Sequence, residues 1–513
     1  MKKMFSLLLA LTLVIGLAAP ITAGADGDVV DLTMFYPTSR STNEFTDLVH
    51  QWAIDKLGIN MIVTAGSSSE WKQQLALYMT SGDLPDVVAY MDEVTFRTYG
   101  EQGAWYDITD MLDDYPNIRP YVAAQTEDAE AVWARMSVDG CIYAVPYMAG
   151  CPVKYLNTIR KDWLDNLGLE APTTLDELTE IMRAFTFNDP DGNGENDTYG
   201  FGTASSLNNL TEFFGAFGAT PKEDTLLVDG KMVTNVISDN YKNALAYLHD
   251  VYAEGLIYPE IFTATETQRY EEWVRGTFGI VTWWWTHAGN SINRYGFFDA
   301  NPDADMVFFD PVTGPDGYSG HIAEDDISNW ISISTTCEHP EVAMKLFDSQ
   351  ATFEGYMTFY AGPMGQFWEG DPAAETLTWH WSLEGKDKLG NEINDMEYYK
   401  ILGNNPWQNL TKNLLPDSKR NNIMKEQTVR ILTAPSYKNA FVGLSTEEFL
   451  DLSNETQKYY TNATIKFITG EMDLESEWDS YVAGYLSNGG ETVRQSLLAL
   501  YNERNGTAYE FAN

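Results

Sequence analysis

The segment DPDGNGENDTYG at 189–200 has the regular spacing of oxygen-bearing side chains that hard metal ions require. Gly194 falls where the turn of a calcium-binding loop needs glycine. Gly200, however, replaces the usual bidentate glutamate, and a solvated acidic turn is the alternative because Asp, Asn and Gly favour turns. We predict a structural Ca²⁺ site here. Its expected ligands are Asp189, Asp191, Asn193, Glu195 through its backbone carbonyl, and Asp197.

Aromatic residues are a second source of binding chemistry, with 15 Trp, 29 Tyr and 24 Phe in the chain. So much Trp is more than packing alone requires, and it indicates a ligand with flat faces. The segment TWWWTH at 282–287 follows a predicted strand. Strand alternation places Trp283 and Trp285 on one side and Trp284 on the other. We expect at least one of them to contact a ligand and the others to lie in the core.

Further candidates lie where predicted strands end, because such loops face the cleft of an α/β protein. Each has a plainer alternative role as a surface charge or a packed ring, and for Trp330 core packing is favoured. The candidates are Arg40 after the first strand, Glu70 and Trp71 at a helix start, Asp92 after the third strand, Tyr147 on a crossing strand, and Trp330 on a later strand.

The composition excludes several classes of function. With 32 basic and 75 acidic residues the formal charge is −43, which argues against a nucleic-acid partner and against docking on an anionic membrane. Apolar residues make up 44% of the chain, enough for well-packed cores. A length of 513 residues predicts at least two domains.

The N-terminal residues have the pattern of a secretory signal peptide. Lys2 and Lys3 precede an apolar run at 4–19, and Ala23-Gly24-Ala25 fits the small-residue cleavage rule. We expect residues 1–25 to be removed and the protein to be secreted to the periplasm or the cell surface. No cysteine lies near the expected cleavage site, so a lipobox anchor is not expected. A disulfide between Cys141 and Cys151 stays open, although buried free thiols are favoured.

Strand-like and helical segments alternate, which predicts parallel sheets covered by helices. The predicted strands lie at 29–37, 59–66 and 86–91, and the predicted helices at 44–58 and 70–82. The pattern restarts after residue 150. There the predicted helices are 173–185 and 238–255, the predicted strands are 276–285, 305–312 and 329–335, and the last 150 residues are mainly helical.

Five segments in order resemble bacterial extracellular solute-binding proteins of the carbohydrate ABC-transporter class, closest to the long, calcium-carrying oligosaccharide binders. They are LYMTSGDLPDVVAY (77–90), the crossing segment 140–178 with its YAVPY, EGLIYPEIFT (254–263), GTFGIVTWWW (276–285) and EHPEVAMKLFD (338–348). The resemblance implies an α/β, two-lobe periplasmic-binding-protein-like fold of type II with hinge strands and a largely helical C-terminal part. Together with the strand pattern it predicts an N-terminal lobe of 26–145 plus about 315–350 and a C-terminal lobe of 146–314 plus about 351–513. Hinges are expected near 144–150 and 311–320.

The resemblance also implies a function, namely capture of an oligosaccharide between the lobes and its delivery to an ABC-transporter permease. We expect a monomer without catalytic activity. A peptide-binding protein of the same transport class is the main alternative, and a secreted glycan-active enzyme is a weaker one. The sequence contains no His-Glu-x-x-His, Gly-x-Ser-x-Gly or P-loop motif.

Overall fold

The computed structural model describes most of the chain. The described residues are 29–38, 42, 44–67, 70–150, 153–202, 206–228, 230–284, 288, 291–292, 295–371, 376–379, 399–403 and 418–513. The predicted signal peptide at 1–25 and the predicted site residues Arg40 and Trp285 lie outside these ranges, as does Cys151.

The strands form two main sheets and several short pairs. The first sheet has the order β2-β1-β3-β14-β6 and the second the order β12-β7-β11-β8. The strands are β1 Val30–Pro37, β2 Ile59–Gly66, β3 Val87–Met91, β4 Ser137–Val138, β5 Cys141–Ile142, β6 Val145–Met148, β7 Tyr155–Arg160, β8 Tyr199–Phe201, β9 Thr225–Val228, β10 Lys231–Thr234, β11 Phe278–Trp284, β12 Met306–Phe308, β13 His321–Ile322, β14 Ile327–Ile333, β15 Trp368–Asp371, β16 Thr376–Trp379 and β17 Ser436–Tyr437.

Helices cover the sheets and build most of the described C-terminal region. None of the described helices is both long and apolar enough to cross a membrane. The helices are α1 Glu44–Leu57, α2 Trp71–Ser81, α3 Glu93–Glu101, α4 Ile118–Ala123, α5 Ala129–Arg135, α6 Lys161–Leu167, α7 Leu175–Phe187, α8 Thr211–Gly215, α9 Asp239–Ala253, α10 Glu266–Val274, α11 Phe297–Ala300, α12 Pro340–Gln350, α13 Phe353–Ala361, α14 Lys419–Thr433, α15 Glu447–Thr469, α16 Leu474–Tyr485 and α17 Glu491–Asn505.

The first sheet combines parallel and antiparallel strands. β1 pairs in parallel with β2 and β3, whereas β14 runs antiparallel to both β3 and β6. The predicted strands at 29–37, 59–66 and 86–91 are confirmed as β1, β2 and β3. Because helices connect the parallel strands, both faces of this sheet are covered and its central strands are apolar.

Each main sheet has a hydrophobic core of its own. Phe35 and Phe96 are fully buried in the core of the first sheet, and Phe185 and Phe213 in that of the second. A third cluster includes Trp273 together with residues of β11, β12 and α14. Such separate cores are typical of a chain divided into domain-like units.

The chain passes between the two sheets more than once. It leaves β6 and enters β7 through residues 149–154, and it returns from β12 to β14 through residues 309–326. Residues 399–403 pack in the core of the first sheet, although the sequence predicted that the N-terminal lobe ends near residue 350. Gln350 holds this segment, donating to the Tyr399 carbonyl at 3.0 Å and accepting from the Ile401 N–H at 3.0 Å.

Candidate functional site

One edge of the first sheet collects the ends of its strands. β1, β2 and β3 end there, at Pro37, Gly66 and Met91. β6 also ends there, because Met148 pairs with Ile327 at the start of the antiparallel β14. In α/β proteins, ligands bind outside the carboxyl ends of the strands. This edge is therefore the natural place for a ligand.

The second sheet presents an edge joined to the first by a short connection. Trp284, the last residue of β11, pairs with Tyr155, the first residue of β7. Only residues 149–154 separate Tyr155 from Met148, so their Cα atoms lie at most about 25 Å apart. Tyr155, beside Trp284 at the edge of the second sheet, therefore lies no more than about 25 Å from the end of β6 in the first sheet.

Three tyrosines from different strands meet at the edge of the first sheet. The Tyr90 ring lies 5.3 Å from that of Tyr36 and 5.0 Å from that of Tyr147, measured between centroids. Tyr36 is buried, whereas Tyr90 and Tyr147 are half-buried. The predicted candidate Tyr147 thus stands in an aromatic cluster with one buried base and two partly open rings.

The two described tryptophans of the TWWW segment have opposite environments. Trp283 is 3% exposed, its Nε1 donates to Thr158 Oγ1 at 2.7 Å, and its ring packs on Trp273 at 4.8 Å. Trp284 is 39% exposed. Strand alternation produces this difference, since adjacent side chains face opposite sides of a sheet. Trp283 is a core residue and is not available to a ligand, whereas Trp284 is.

Trp330 also belongs to the core, in spite of its place among the ligand candidates. It is 3% exposed and stacks on Phe96 at 6.4 Å. The Arg135 guanidinium lies 5.2 Å from its ring, and its Nε1 donates to the Arg135 carbonyl at 3.1 Å. Its contacts are all with the protein interior, because β14 is a central strand whose alternate side chains point into the core.

Glu70, Trp71 and Asp92 lie together at the same edge. Trp71 begins α2 and is half-buried, and the exposed Glu70 precedes it without capping the helix. Asp92 caps α3 by accepting from the Thr95 N–H at 2.8 Å and pairs with Lys72 at 2.5 Å. Partial burial works against ionisation, but hydrogen bonds from Lys72 and Thr95 outweigh it and lower the pKa of Asp92. Asp92 thus stays ionised and ties α2 to the end of β3.

The acidic loop after α7 brings its carboxylates towards one another. Gly194 donates its N–H to Asp189 at 3.1 Å, and the Asn193 amide donates to Asp191 at 3.0 Å and to Asp197 at 3.3 Å. Asp189 has a left-handed backbone (φ 47°), and its buried Oδ1 has no hydrogen-bond partner. Burial, with added repulsion from Asp189 and Asp197, raises the pKa of Asp191.

The donor set of this loop fits a hard cation, although its side chains are not arranged closely enough to surround one. Within the described part of the chain, no three acidic, His or Cys side chains are close enough to form a complete metal centre. The Asn193 amide bridges carboxylates that a cation could bridge instead. An orphaned carboxylate oxygen and mutually repelling acids are what a Ca²⁺ ion would relieve.

Sequence reasoning missed Tyr36, Tyr90 and Asn329, all of which reach the edge of the first sheet. The strand-end rule that selected Asp92 could also have selected Tyr36 and Tyr90. Asn329 lies on β14 and donates its amide N–H to the Tyr90 carbonyl at 3.2 Å. No local signal identifies it, because its place depends on the pairing of β14 with strands from more than 200 residues earlier.

Known proteins resemble this chain over most of its length. It is 24% identical over 442 residues to the polygalacturonan/rhamnogalacturonan-binding protein YtcQ of Bacillus subtilis, covering 83% of this chain and 82% of that protein. It is 26% identical over 455 residues to the fructooligosaccharide ABC transporter substrate-binding protein FusA of Streptococcus pneumoniae, covering 80% and 79%.

Solved structures resemble the fold. FusA in complex with kestose superposes with a TM-score of 0.67 at 21% identity, covering 93% of this chain and 99% of that one. An EF-hand mutant of FusA in complex with fructo-nystose gives 0.66 at 20% identity, covering 93% and 99%. The predicted α/β fold of the type II periplasmic-binding-protein class is thereby confirmed.

The family assignment rests on the N-terminal two-thirds of the chain. Residues 41–357, more than half of the sequence, match the profile of bacterial extracellular solute-binding proteins. That stretch contains every strand of both main sheets except β1, which precedes it at Val30–Pro37. The chain belongs to the family of bacterial extracellular solute-binding proteins.

Proposed function

We propose that this protein captures an oligosaccharide between the edges of its two sheets and delivers it to the permease of an ABC importer. The observation that carries the proposal is the pair of edges joined through residues 149–154. One holds the half-buried rings of Tyr90 and Tyr147, and the other holds the exposed Trp284. Flat rings at both edges would suit the apolar faces of successive sugar units. YtcQ and FusA, whose names describe saccharide binding, support this ligand class.

The polar part of the site would come from the same edges. Asp92 is ionised and partly open, and Glu70 is exposed beside Trp71 at the start of α2. Carboxylates of this kind accept hydrogen bonds from sugar hydroxyls. Trp283 and Trp330 have no part in the site because the protein interior covers both rings.

Ligand capture would couple to movement of two lobes. We assign β1–β6, β14 and the described residues between 340 and 403 to an N-terminal lobe, because those segments share the core of the first sheet or pack beside it. The remaining described residues after 153 form the C-terminal lobe. A ligand held from both edges favours the closed arrangement, which a permease then recognises. The protein would act as a secreted monomer without catalytic activity.

Binding is tested by measuring the thermal unfolding midpoint of residues 26–513 in the presence of neutral oligosaccharides, acidic oligosaccharides or peptides. A ligand that binds only the native state adds about 2.7 kcal/mol to the free energy of unfolding at a concentration a hundredfold above its Kd, and it thereby raises the unfolding midpoint. We expect a midpoint increase with at least one saccharide and no turnover of it. An increase with peptides alone would favour peptide transport, and hydrolysis of the saccharide would identify an enzyme.

We also propose that Asp189, Asp191, Asn193, Asp197 and the Glu195 carbonyl hold a structural Ca²⁺. A bound Ca²⁺ would supply positive charge that neutralises the loop carboxylates and fixes the connection between α7 and β8. The orphaned Asp189 oxygen and the raised pKa of Asp191 support this assignment. A solved relative of the same fold is described as an EF-hand mutant.

Calcium removal should lower the unfolding midpoint. We expect EDTA to reduce it and added Ca²⁺ to restore it, because an ion bound only to the native state stabilises that state. The double variant D189N/D191N should lose this response, whereas D113N, at an exposed acid outside the loop, should keep it. A midpoint that EDTA leaves unchanged in the unmodified protein would refute the site.

A further inference from the structure

Tyr90 adopts an unusual backbone conformation at the edge of the first sheet. Its φ is 60°, and only two other non-glycine residues in the described part of the chain have a positive φ. Side chains with a Cβ rarely enter this left-handed region, and residues held there cluster at functional sites. The conformation is therefore maintained by the contacts around it.

A β-bulge explains the conformation. Met91 pairs with Trp330 and Val88 with Ser332, so β3 contains one residue more than β14 between the two pairs. A second irregularity lies nearby, where Ser328 is extra on β14 opposite β6. Bulges redirect side chains and occur preferentially beside binding sites. Two of them on neighbouring pairs turn the Tyr90 ring towards Tyr147.

Tyr90 is held at three points. Its hydroxyl donates to the Lys400 carbonyl at 2.8 Å, and its own carbonyl accepts from the Asn329 amide at 3.2 Å. Its ring packs against those of Tyr36 and Tyr147. One residue thus connects the sheet, the aromatic cluster and the segment at 399–403.

The segment at 399–403 also lies against Tyr147. A Cβ added to Gly403 would lie 2.5 Å from the Tyr147 ring and 2.4 Å from the Met148 carbonyl, so only glycine fits. Gln350 accepts from the N–H groups of Ile401 and Leu402 at 3.0 and 3.1 Å. Tyr147 therefore contacts both Tyr90 and a segment that Tyr90 itself anchors.

We propose that Tyr90 is a positioning residue for the ligand site. Its bulged backbone and its hydroxyl hold the segment at 399–403 against Tyr147 and so fix the ring that a sugar would stack on. The part of this inference that concerns affinity rests on the proposed saccharide function. The effect of Tyr90 on the segment at 399–403 does not depend on any ligand.

The first test uses hydrogen exchange in the ligand-free protein. Tyr90→Phe keeps the ring and removes the hydroxyl that donates to the Lys400 carbonyl. Tyr115→Phe is the matched control, because its hydroxyl also donates to a backbone carbonyl, that of Glu341, at 2.8 Å in the same lobe. We expect exchange at residues 399–403 to become about fivefold faster in Y90F only, the equivalent of one net hydrogen bond. Equal exchange there in the two variants would overturn the proposal.

The second test compares affinities for whichever saccharide or peptide the unmodified protein binds. We expect the Kd to rise about fivefold in Y90F and less than twofold in Y115F, while both variants stay folded. Tyr90→Gly, which relaxes the backbone but removes the ring, should bind more weakly still. Unchanged affinity in Y90F would overturn the positioning role. Failure of the unmodified protein to bind any saccharide would refute the proposed function instead, and the exchange result would still decide whether Tyr90 holds the segment.

Discussion

Replacing Glu212 with alanine should destabilise the protein by about 3–5 kcal/mol, because it removes one partner of a buried His–carboxylate pair and its hydrogen bonds. Glu212 is 2% exposed and accepts from the Asn157 amide at 2.9 Å, the Val312 N–H at 2.7 Å and His321 Nε2 at 2.6 Å. Alanine would leave these buried donors without an acceptor, and each unsatisfied group has its own desolvation cost. Urea unfolding would measure the loss.

This network matters because it joins the second sheet to the connection between the sheets. Asn157 lies on β7, whereas Val312 and His321 lie in the returning segment 309–326. The control is Glu254→Ala, which removes an exposed carboxylate paired with Arg183 and should cost less than about 1 kcal/mol. If E212A does not fold, Glu212→Gln should still show an intermediate loss. Equal losses in E212A and E254A would contradict the prediction.

Replacing Trp284 with alanine should weaken saccharide binding about thirtyfold. Truncating an aromatic side chain at the centre of a binding site typically costs about 2 kcal/mol or more, which corresponds to that factor. The stability of the free protein should fall less than it would for a fully buried tryptophan, because the ring is 39% exposed and lies at the end of β11. Isothermal calorimetry with the saccharide found in the thermal screen would measure the affinity.

Two further variants distinguish the loss of a stacking ring from the loss of any exposed aromatic surface. Trp284→Phe keeps a flat face and should recover much of the affinity. Phe187→Ala removes an aromatic ring of 51% exposure at the end of α7, just before the acidic loop that leads into β8. β8 runs parallel to β11, so the start of β8 lies at the edge of the second sheet opposite Trp284. Phe187 precedes that start and therefore serves as a control away from Trp284. Similar affinities for W284A and F187A would exclude Trp284 from the site.

Local pattern predicted several elements well. The Thr174 to Glu177 spacing indicates a capping box, and α7 begins there with both reciprocal hydrogen bonds present. Alternation along TWWW separates Trp283 from Trp284, as the structure does. These features depend on neighbours within a few residues, so the sequence contains all that is needed to infer them.

Other features depend on pairings between distant residues. The bulge at Tyr90 exists because β3 pairs with β14, some 240 residues later, with one residue in excess. Residues 399–403 join the first core because Gln350 and Tyr90 bind their backbone. Single-sequence periodicity has no information on either pairing, which is why Tyr90 was missed and why the packing of residues 399–403 on the first core could not be inferred from the sequence.

The sequence alone therefore determined the strands and helices, the acidic loop with its calcium-like spacing, and the family that its ordered segments resemble. Each of these depends on short-range periodicity, capping or ligand spacing. Only the tertiary structure decided which aromatic rings are covered and which are open: Trp283 and Trp330 are in cores, whereas Trp284, Tyr90 and Tyr147 are at strand ends. The physical reason is that burial depends on what packs against a side chain, and here those partners come from remote parts of the chain.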